Sequence, residues 1–224
     1  MNPPARLVLF DLDHTLITVD SDEQWVEFLV AEGRLDRGAI ESANHEIVAR
    51  YRRGDATPVE FTEFYLSVLV PFLPEDLAAW HPRYLRERIL PHVAPGTRAL
   101  LARHREAGDL TVLTTATNRF LTAAIARELG FEHLIATEPE MAGGRYTGRV
   151  DGIANMREGK VARLDAWLER RGWSLQSIPE TWFYSDSLND LPLLSRVTHP
   201  VATHPDERLR AIARERGWRI IEKL

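Results

Sequence analysis

Near the start of the chain four apolar residues in unbroken succession, Leu7-Val8-Leu9-Phe10, run straight into Asp11-Leu12-Asp13. An apolar run without alternation suits a strand buried on both faces, and such strands belong to parallel sheets covered by helices on each side. Carboxylates that follow the strand directly would emerge at its carboxyl end, the edge where open parallel sheets bind ligands. Two residues apart in extended backbone, Asp11 and Asp13 point to the same side. At roughly 4 Å and an effective dielectric of 20, two such charges repel by about 4 kcal/mol. A cation, or a proton held at raised pKa, has to accompany them.

Leu110–Leu113, Trp182–Tyr184 and Leu134–Ile135 read as further strands of the same kind. Between them lie helical patterns, Thr97–Ala107, Arg119–Leu129 and Val161–Arg171, each stopped by a glycine (Gly108, Gly130, Gly172). This recurrence predicts an α/β fold, a parallel sheet with helices on both faces. From Ser21 to Arg88 the pattern changes. Only helices are expected there, over Asp22–Glu32, Ile40–Arg52 and Pro58–Val70, punctuated by Gly54, Pro71, Pro74 and Pro82. Its aromatic residues, Trp25 and Tyr84 among them, are numerous enough for a small core of its own. Residues 18–88 are therefore expected to be an all-helical insert, with 1–17 and 89–224 forming the sheet domain. Arg145–Asp151 reads as a short hairpin, Gly143-Gly144 as a turn, and the tail as a helix from Ala211 to Gly217 with a last strand at Arg219–Ile221.

Composition narrows the function. With 28 Lys and Arg against 33 Asp and Glu, the net charge is −5, which disfavours a broad nucleic-acid surface. The absence of cysteine excludes disulfides, thiol nucleophiles, cysteine-ligated zinc and iron–sulfur clusters. The eight histidines show no zinc spacing. No apolar run approaches the roughly 18 residues of a membrane span, and Leu7–Phe10 is too short for a signal-peptide core, so no membrane partner and a cytoplasmic location are expected. The oligomeric state is not legible.

Three more segments carry candidate chemistry. Ser185-Asp186-Ser187-Leu188-Asn189-Asp190 follows a strand-like run, and its hard oxygen donors suit Mg²⁺. Thr114-Thr115-Ala116-Thr117-Asn118 offers hydroxyls and backbone N–H groups at a strand-to-helix turn, an anion site. Lys160 opens a helix after Gly159. Read singly, each has a plain structural explanation: a turn, a cap, a solvated lysine.

Taken in order, Asp-x-Asp-x-Thr, a threonine after a second strand, a helix-opening lysine and Asp-x-x-Asn-Asp resemble the four motifs of the haloacid dehalogenase superfamily of hydrolases. The helical insert resembles that family's type 1 cap, and the whole is most similar to the phosphoserine-phosphatase-like branch, which includes histidinol-phosphatase-like members. The resemblance implies a Rossmann-like core, Mg²⁺ as cofactor and a small phosphorylated metabolite as substrate. It implies that Asp11 is the nucleophile, forming an aspartyl-phosphate, and that Asp13 is the general acid and base. Mg²⁺ would be held by Asp11, the Asp13 backbone carbonyl, Asp186 and Asp190. Thr115 (Thr114 being the one-residue alternative) and the Ala116 N–H would bind phosphate, with Asn189. Lys160 would stabilise the nucleophile and transferring group. Asp20 takes the position of a glutamate that in phosphoserine phosphatases meets the substrate's amino group. The family's dehalogenases lack an acid at the position of Asp13, so phosphomonoester hydrolysis is expected. A phosphotransferase or mutase, a phospho-Asp receiver and an inactive binding module are the rival readings. His14 is a candidate for shaping the phosphate pocket, and Trp25 for lining the substrate pocket.

Overall fold

In the computed structural model of the chain, residues 2–224 are described. Eight strands form: β1 (Arg6–Phe10), β2 (Leu110–Asn118), β3 (His133–Thr137), β4 (Pro139–Ala142), β5 (Arg145–Val150), β6 (Glu180–Ser185), β7 (His199–Thr203) and β8 (Arg219–Ile221). Six of them make one parallel sheet in the order β3-β2-β1-β6-β7-β8, and β4 pairs antiparallel with β5. Along β1, Leu7 and Leu9 pack into one hydrophobic cluster with Phe183 and Leu164, while Val8 and Phe10 join Leu113 and Tyr184 in another. The strand is therefore buried on both faces, as its unbroken apolar run requires. The chain travels from β1 through β2 to β3 and then returns to β6 on the other side of β1. That reversal opens a crevice beyond the ends of β1 and β6, where Asp11 and Asp186 follow.

Four helices follow β1: α1 (Ser21–Ala31), α2 (Arg37–Arg53), α3 (Pro58–Ser67) and α4 (Pro74–Tyr84). Asp20 and Asp36 cap α1 and α2, and a reciprocal capping box between Thr57 and Glu60 starts α3. Gly54, at φ 80°, closes α2 in the left-handed conformation. The sheet is flanked by α5 (Thr97–Glu106), α6 (Arg119–Glu128), α7 (Glu158–Glu169), α8 (Leu191–Leu194) and α9 (Glu207–Glu215). The two connections to the insert run side by side. The Thr18 N–H donates to the His92 carbonyl (2.8 Å), and the Ala94 N–H to the Leu16 carbonyl (3.0 Å).

Several expectations are corrected. The insert has no separate core: Trp25, Phe28, Leu29 and Tyr84 belong to the same buried cluster as Phe10 and Leu121. α1 and α4 are fastened to α6, with His81 Nε2 3.0 Å from the Leu121 carbonyl and Trp25 edge-on to Phe120. The insert's last helix, α4, hides from its sequence because Pro74 and Pro82 read as breaks. Pro74 instead supplies the first turn, and Pro82 is tolerated ahead of a π-turn at Leu85–Ile89. Arg145–Asp151 is not a hairpin by itself; its turn is Gly143-Gly144, and Arg145–Val150 is one strand of the pair. β7 was missed because Pro200 sits within it. The tail helix begins at Glu207, capped by Asp206. Thr114–Asn118 is not a turn but the end of β2, as β-branched threonines favour, with Asn118 capping α6.

Candidate active site

The carboxyl ends of β1, β2 and β6 and the start of α7 converge on one cavity of about 240 Å³. Asp11 continues β1 in register, its N–H donating to the Tyr184 carbonyl of β6 (2.9 Å). The Lys160 ammonium donates to Asp11 Oδ1 at 2.9 Å and to Asp190 Oδ2 at 2.8 Å, with 2 % of its side chain exposed. Ser185 Oγ also donates to Asp190 Oδ2 (2.7 Å). The lysine can sit so deep because Gly159 precedes it: a Cβ there would collide with the Ala154 carbonyl oxygen.

Asp13 has a different set of neighbours. Its Oδ1 accepts from the Ser21 N–H (2.8 Å) and its Oδ2 from the Thr117 hydroxyl (2.8 Å), both neutral donors. Thr15 joins the third strand end, donating to Asp186 Oδ1 (3.1 Å) and accepting from the Asp186 N–H (3.0 Å). Asp20 and Asp22 line the same cavity from the start of α1.

The electrostatics follow from this arrangement. Burial raises the Asp11 pKa and Lys160 lowers it; with Asp190 adding repulsion it settles at about 6. Asp13, buried beside Asp20 and Asp11 with no cationic partner, is pushed up to about 8. Burial, Asp11 and Asp190 hold Asp186 well above the ordinary carboxylate range. Burial favours a neutral Lys160, but Asp11 and Asp190 outweigh it and keep the ammonium charged.

The sequence candidates fall into place unevenly. Asp11, Asp13, Asp20, Lys160, Asp186, Asn189, Asp190 and Ala116 all line the cavity. Thr115 does not: it is wholly buried, and its hydroxyl accepts the Thr117 N–H (3.2 Å). Thr114 faces inward, meeting the Asn155 side-chain amide (3.0 Å), which also donates to the carbonyls of Thr115 and Ile135 and so ties β2 to β3. Asp190 faces Lys160 and Ser185 rather than open space, so a direct metal-ligand place for it is not what the geometry offers. Trp25 is 1 % exposed, packed among Phe28, Tyr84 and Phe120, and lines no part of the cavity. His14 does line it. Asn189 Oδ1 accepts from Arg157 Nε (3.1 Å) and lies 3.5 Å from the Tyr51 hydroxyl of α2.

Sequence reasoning missed Asp22, Ser21, which holds Asp13, and the wall formed by Tyr51, Phe61 and Tyr65; Thr15 and Thr117 lay inside candidate segments but with no role of their own. Ser21 and Asp22 lay beside Asp20, already singled out. The three rings carried no local signal, because α2 and α3 present them to the cavity only once both helices are docked.

Asp186 meets the Thr15 hydroxyl but no cation, and it repels Asp11, so the strand ends are short of positive charge. Among the described residues no three acidic or histidine side chains form a ready-made cage. One or two carboxylates, a backbone carbonyl and water are what Mg²⁺ takes, and the residues present fit it.

Comparison with known proteins agrees with this geometry. Residues 8–195 match the family model of the haloacid dehalogenase-like hydrolases. The chain is 40 % identical over 217 residues to a histidinol-phosphatase of Neisseria meningitidis, covering 96 % of this chain and 98 % of that protein. A Bordetella pertussis protein of unknown function has a solved structure that superposes with a TM-score of 0.91 at 48 % identity, over 96 % of this chain and 97 % of that one. A substrate-bound phosphoserine phosphatase superposes with a TM-score of 0.69 over 99 % of this chain and 95 % of that one; at 18 % identity the likeness speaks for the fold. The three strand ends and the start of α7, the sheet order and the family match converge: the chain belongs to the haloacid dehalogenase-like hydrolases and is an enzyme of the phosphatase class.

Proposed function

We propose that the protein is a Mg²⁺-dependent phosphomonoester hydrolase that acts on a small metabolite phosphate through an aspartyl-phosphate on Asp11. The observation that carries this reading is the unequal company of two aspartates in one cavity. Asp11 is bonded to a buried ammonium, whereas Asp13 is bonded to a hydroxyl and a backbone N–H. An ammonium partner keeps a carboxylate ionised and available as a nucleophile. A carboxyl among other acids keeps its proton, as a general acid must.

In the first step an Asp11 oxygen bonds to phosphorus as the ester P–O bond breaks, and Asp13 gives its proton to the departing alkoxide. In the second, water attacks phosphorus, Asp13 takes a proton from it, and the bond between phosphorus and Asp11 breaks, regenerating the carboxylate. Lys160, held between Asp11 and Asp190, stabilises charge on the nucleophile and the transferring group. The Ala116 N–H and Asn189 would receive phosphate oxygens, while Thr115, buried outside the cavity, would brace the end of β2 by accepting the Thr117 N–H. Mg²⁺ would be held by Asp11, the Asp13 carbonyl and Asp186, and would screen the nucleophile from an anionic substrate. Asp190 would serve through Lys160.

The far wall supports a histidinol-phosphatase-like substrate over phosphoserine. Tyr51, Phe61 and Tyr65 stand with Asp20 and Asp22 in the lining of a cavity that contains no arginine and, apart from Lys160, no lysine. Aromatic rings and carboxylates suit a flat group and an ammonium; a substrate carboxylate placed there would be repelled by Asp20 and Asp22. A panel of phosphomonoesters with Mg²⁺ tests this. Histidinol phosphate is expected to exceed phosphoserine in kcat/KM by at least about tenfold, the worth of one unpaired charge contact. Preference for phosphoserine would reject the assignment.

A further inference from the structure

Among the described residues three that are not glycine have positive φ, and two of these are joined to each other: His14 (φ 55°), directly after Asp13, and His204 (φ 49°), directly after β7. His204 Nδ1 lies 3.0 Å from the His14 carbonyl oxygen, and the Leu224 N–H donates to His204 Nε2 at 2.8 Å. A carbonyl oxygen only accepts and an amide N–H only donates, so Nδ1 carries the proton and Nε2 the lone pair. These two contacts fix the orientation of the ring. The His204 backbone N–H is anchored in turn on the Ile221 carbonyl (2.8 Å). Leu224 is pressed against Gly96, where a Cβ would come within 2.7 Å of the Leu224 carbonyl carbon. His14 faces the catalytic cavity and also a second depression of about 490 Å³, which His204 shares with Asp186.

A residue held in the left-handed region persists only where its surroundings over-determine it. The His14 carbonyl belongs to the peptide shared with Thr15, whose N–H donates to the Leu12 carbonyl at 3.2 Å, and the His14 N–H reaches the Val19 carbonyl only at 3.4 Å; the shortest of these restraints on residue 14 is the one from His204, at 3.0 Å. Ser21 and Thr117 hold the Asp13 carboxyl, but not the backbone that follows it.

We infer that His204 is a positioning residue for Asp13: by gripping the His14 carbonyl from β8's side of the sheet, it sets the direction from which the acid faces the leaving oxygen. This rests on the acid role proposed above for Asp13. His204 itself touches no reacting atom. Without its grip, residue 14 relaxes toward the ordinary region and turns the adjoining Asp13.

The test uses three forms of the enzyme and two esters. His204→Gly keeps the backbone conformation but removes the donor. His204→Asn also tolerates positive φ and replaces Nδ1–H with an amide N–H. An alkyl phosphate needs a proton on its leaving oxygen, whereas 4-nitrophenyl phosphate leaves as a stable anion. His204→Gly is expected to lose on the order of tenfold in kcat on the alkyl ester with KM little changed, and less than about twofold on the nitrophenyl ester. His204→Asn is expected to restore the alkyl-ester rate. Equal losses on both esters, no loss on the alkyl ester, or no recovery in His204→Asn would overturn the role. Wild-type enzyme that hydrolyses neither ester would overturn the phosphatase reading, and this role with it.

Discussion

The cavity has two walls of opposite character. On the sheet side nearly every polar atom is engaged: Lys160 joins Asp11 to Asp190, Ser185 braces Asp190, Thr15 braces Asp186, and Asn155 ties the strands beneath. On the insert side stand three aromatic rings, and two carboxylates held by little more than the ends of α1 and α6: Asp20 by the Glu23 N–H (3.0 Å) and Asp22 by the Asn118 side-chain amide (3.2 Å). A site braced at every atom is fixed for one reaction, whereas a wall of rings and loosely held charges fits one substrate side chain and rejects another. On the function proposed above, chemistry would belong to the sheet side and selectivity to the insert side.

The largest effect that can break this contrast is on the sheet side. Lys160→Met removes the cation from between two buried carboxylates, and breaking such a pair costs about 3–5 kcal/mol. The variant is expected to show that loss in chemical denaturation and to lack phosphatase activity. A variant as stable as wild type would show that the sheet wall is not held by its lysine.

On the insert side the expected effect is smaller and selective. Burial and the neighbouring Asp20 and Asp13 push the Asp22 pKa well up, so its charge is drawn out only by the substrate's ammonium; Asp22→Asn keeps the shape but removes that charge, so kcat/KM for histidinol phosphate should fall about tenfold. Hydrolysis of a phosphomonoester without an amine should fall much less. A uniform loss on both substrates would place Asp22 in the chemistry and blur the contrast.

The smallest prediction concerns a region behind both walls. His104 sits between Asp109 (2.7 Å from Nδ1) and the Tyr184 hydroxyl (2.9 Å from Nε2). Burial pushes its pKa down, outweighing the attraction of Asp109. As pH falls below the ordinary histidine value, about 6.5, the unfolded chain takes up a proton that the folded ring resists, so this group withdraws stability in acid. Between about pH 7 and pH 5, His104→Gln should therefore lose less stability than wild type. An equal or steeper loss in the variant would contradict the assignment.

How far the sequence reached depends on how local each feature is. The acids at the ends of β1 and β6 were legible because an apolar run leads directly into them, and a parallel sheet brings such ends to one edge. β7 and α4 were hidden by prolines that they tolerate at a strand start and in the first and third helical turns. The orientation of Asp190 toward Lys160 was not legible, because it depends on how deeply α7 begins beneath the strand ends. Nor was the hold of Ser21 and Thr117 on Asp13, a contact between distant stretches of chain that exists only once α1 is packed on β2. Trp25 misled for a related reason. It stands at the base of the insert, but α1 turns it into the core.

The unequal roles of Asp11 and Asp13 are tested most directly by trapping the phosphorylated enzyme. Enzyme quenched in acid during turnover of a ³²P-labelled phosphomonoester with Mg²⁺, then digested and sequenced by mass spectrometry, should carry an acyl-phosphate on the peptide containing residue 11. Asp11→Asn should carry no label, and Asp13→Asn should still be labelled by 4-nitrophenyl phosphate. Label on a serine, threonine or histidine, or label that survives in Asp11→Asn, would contradict it.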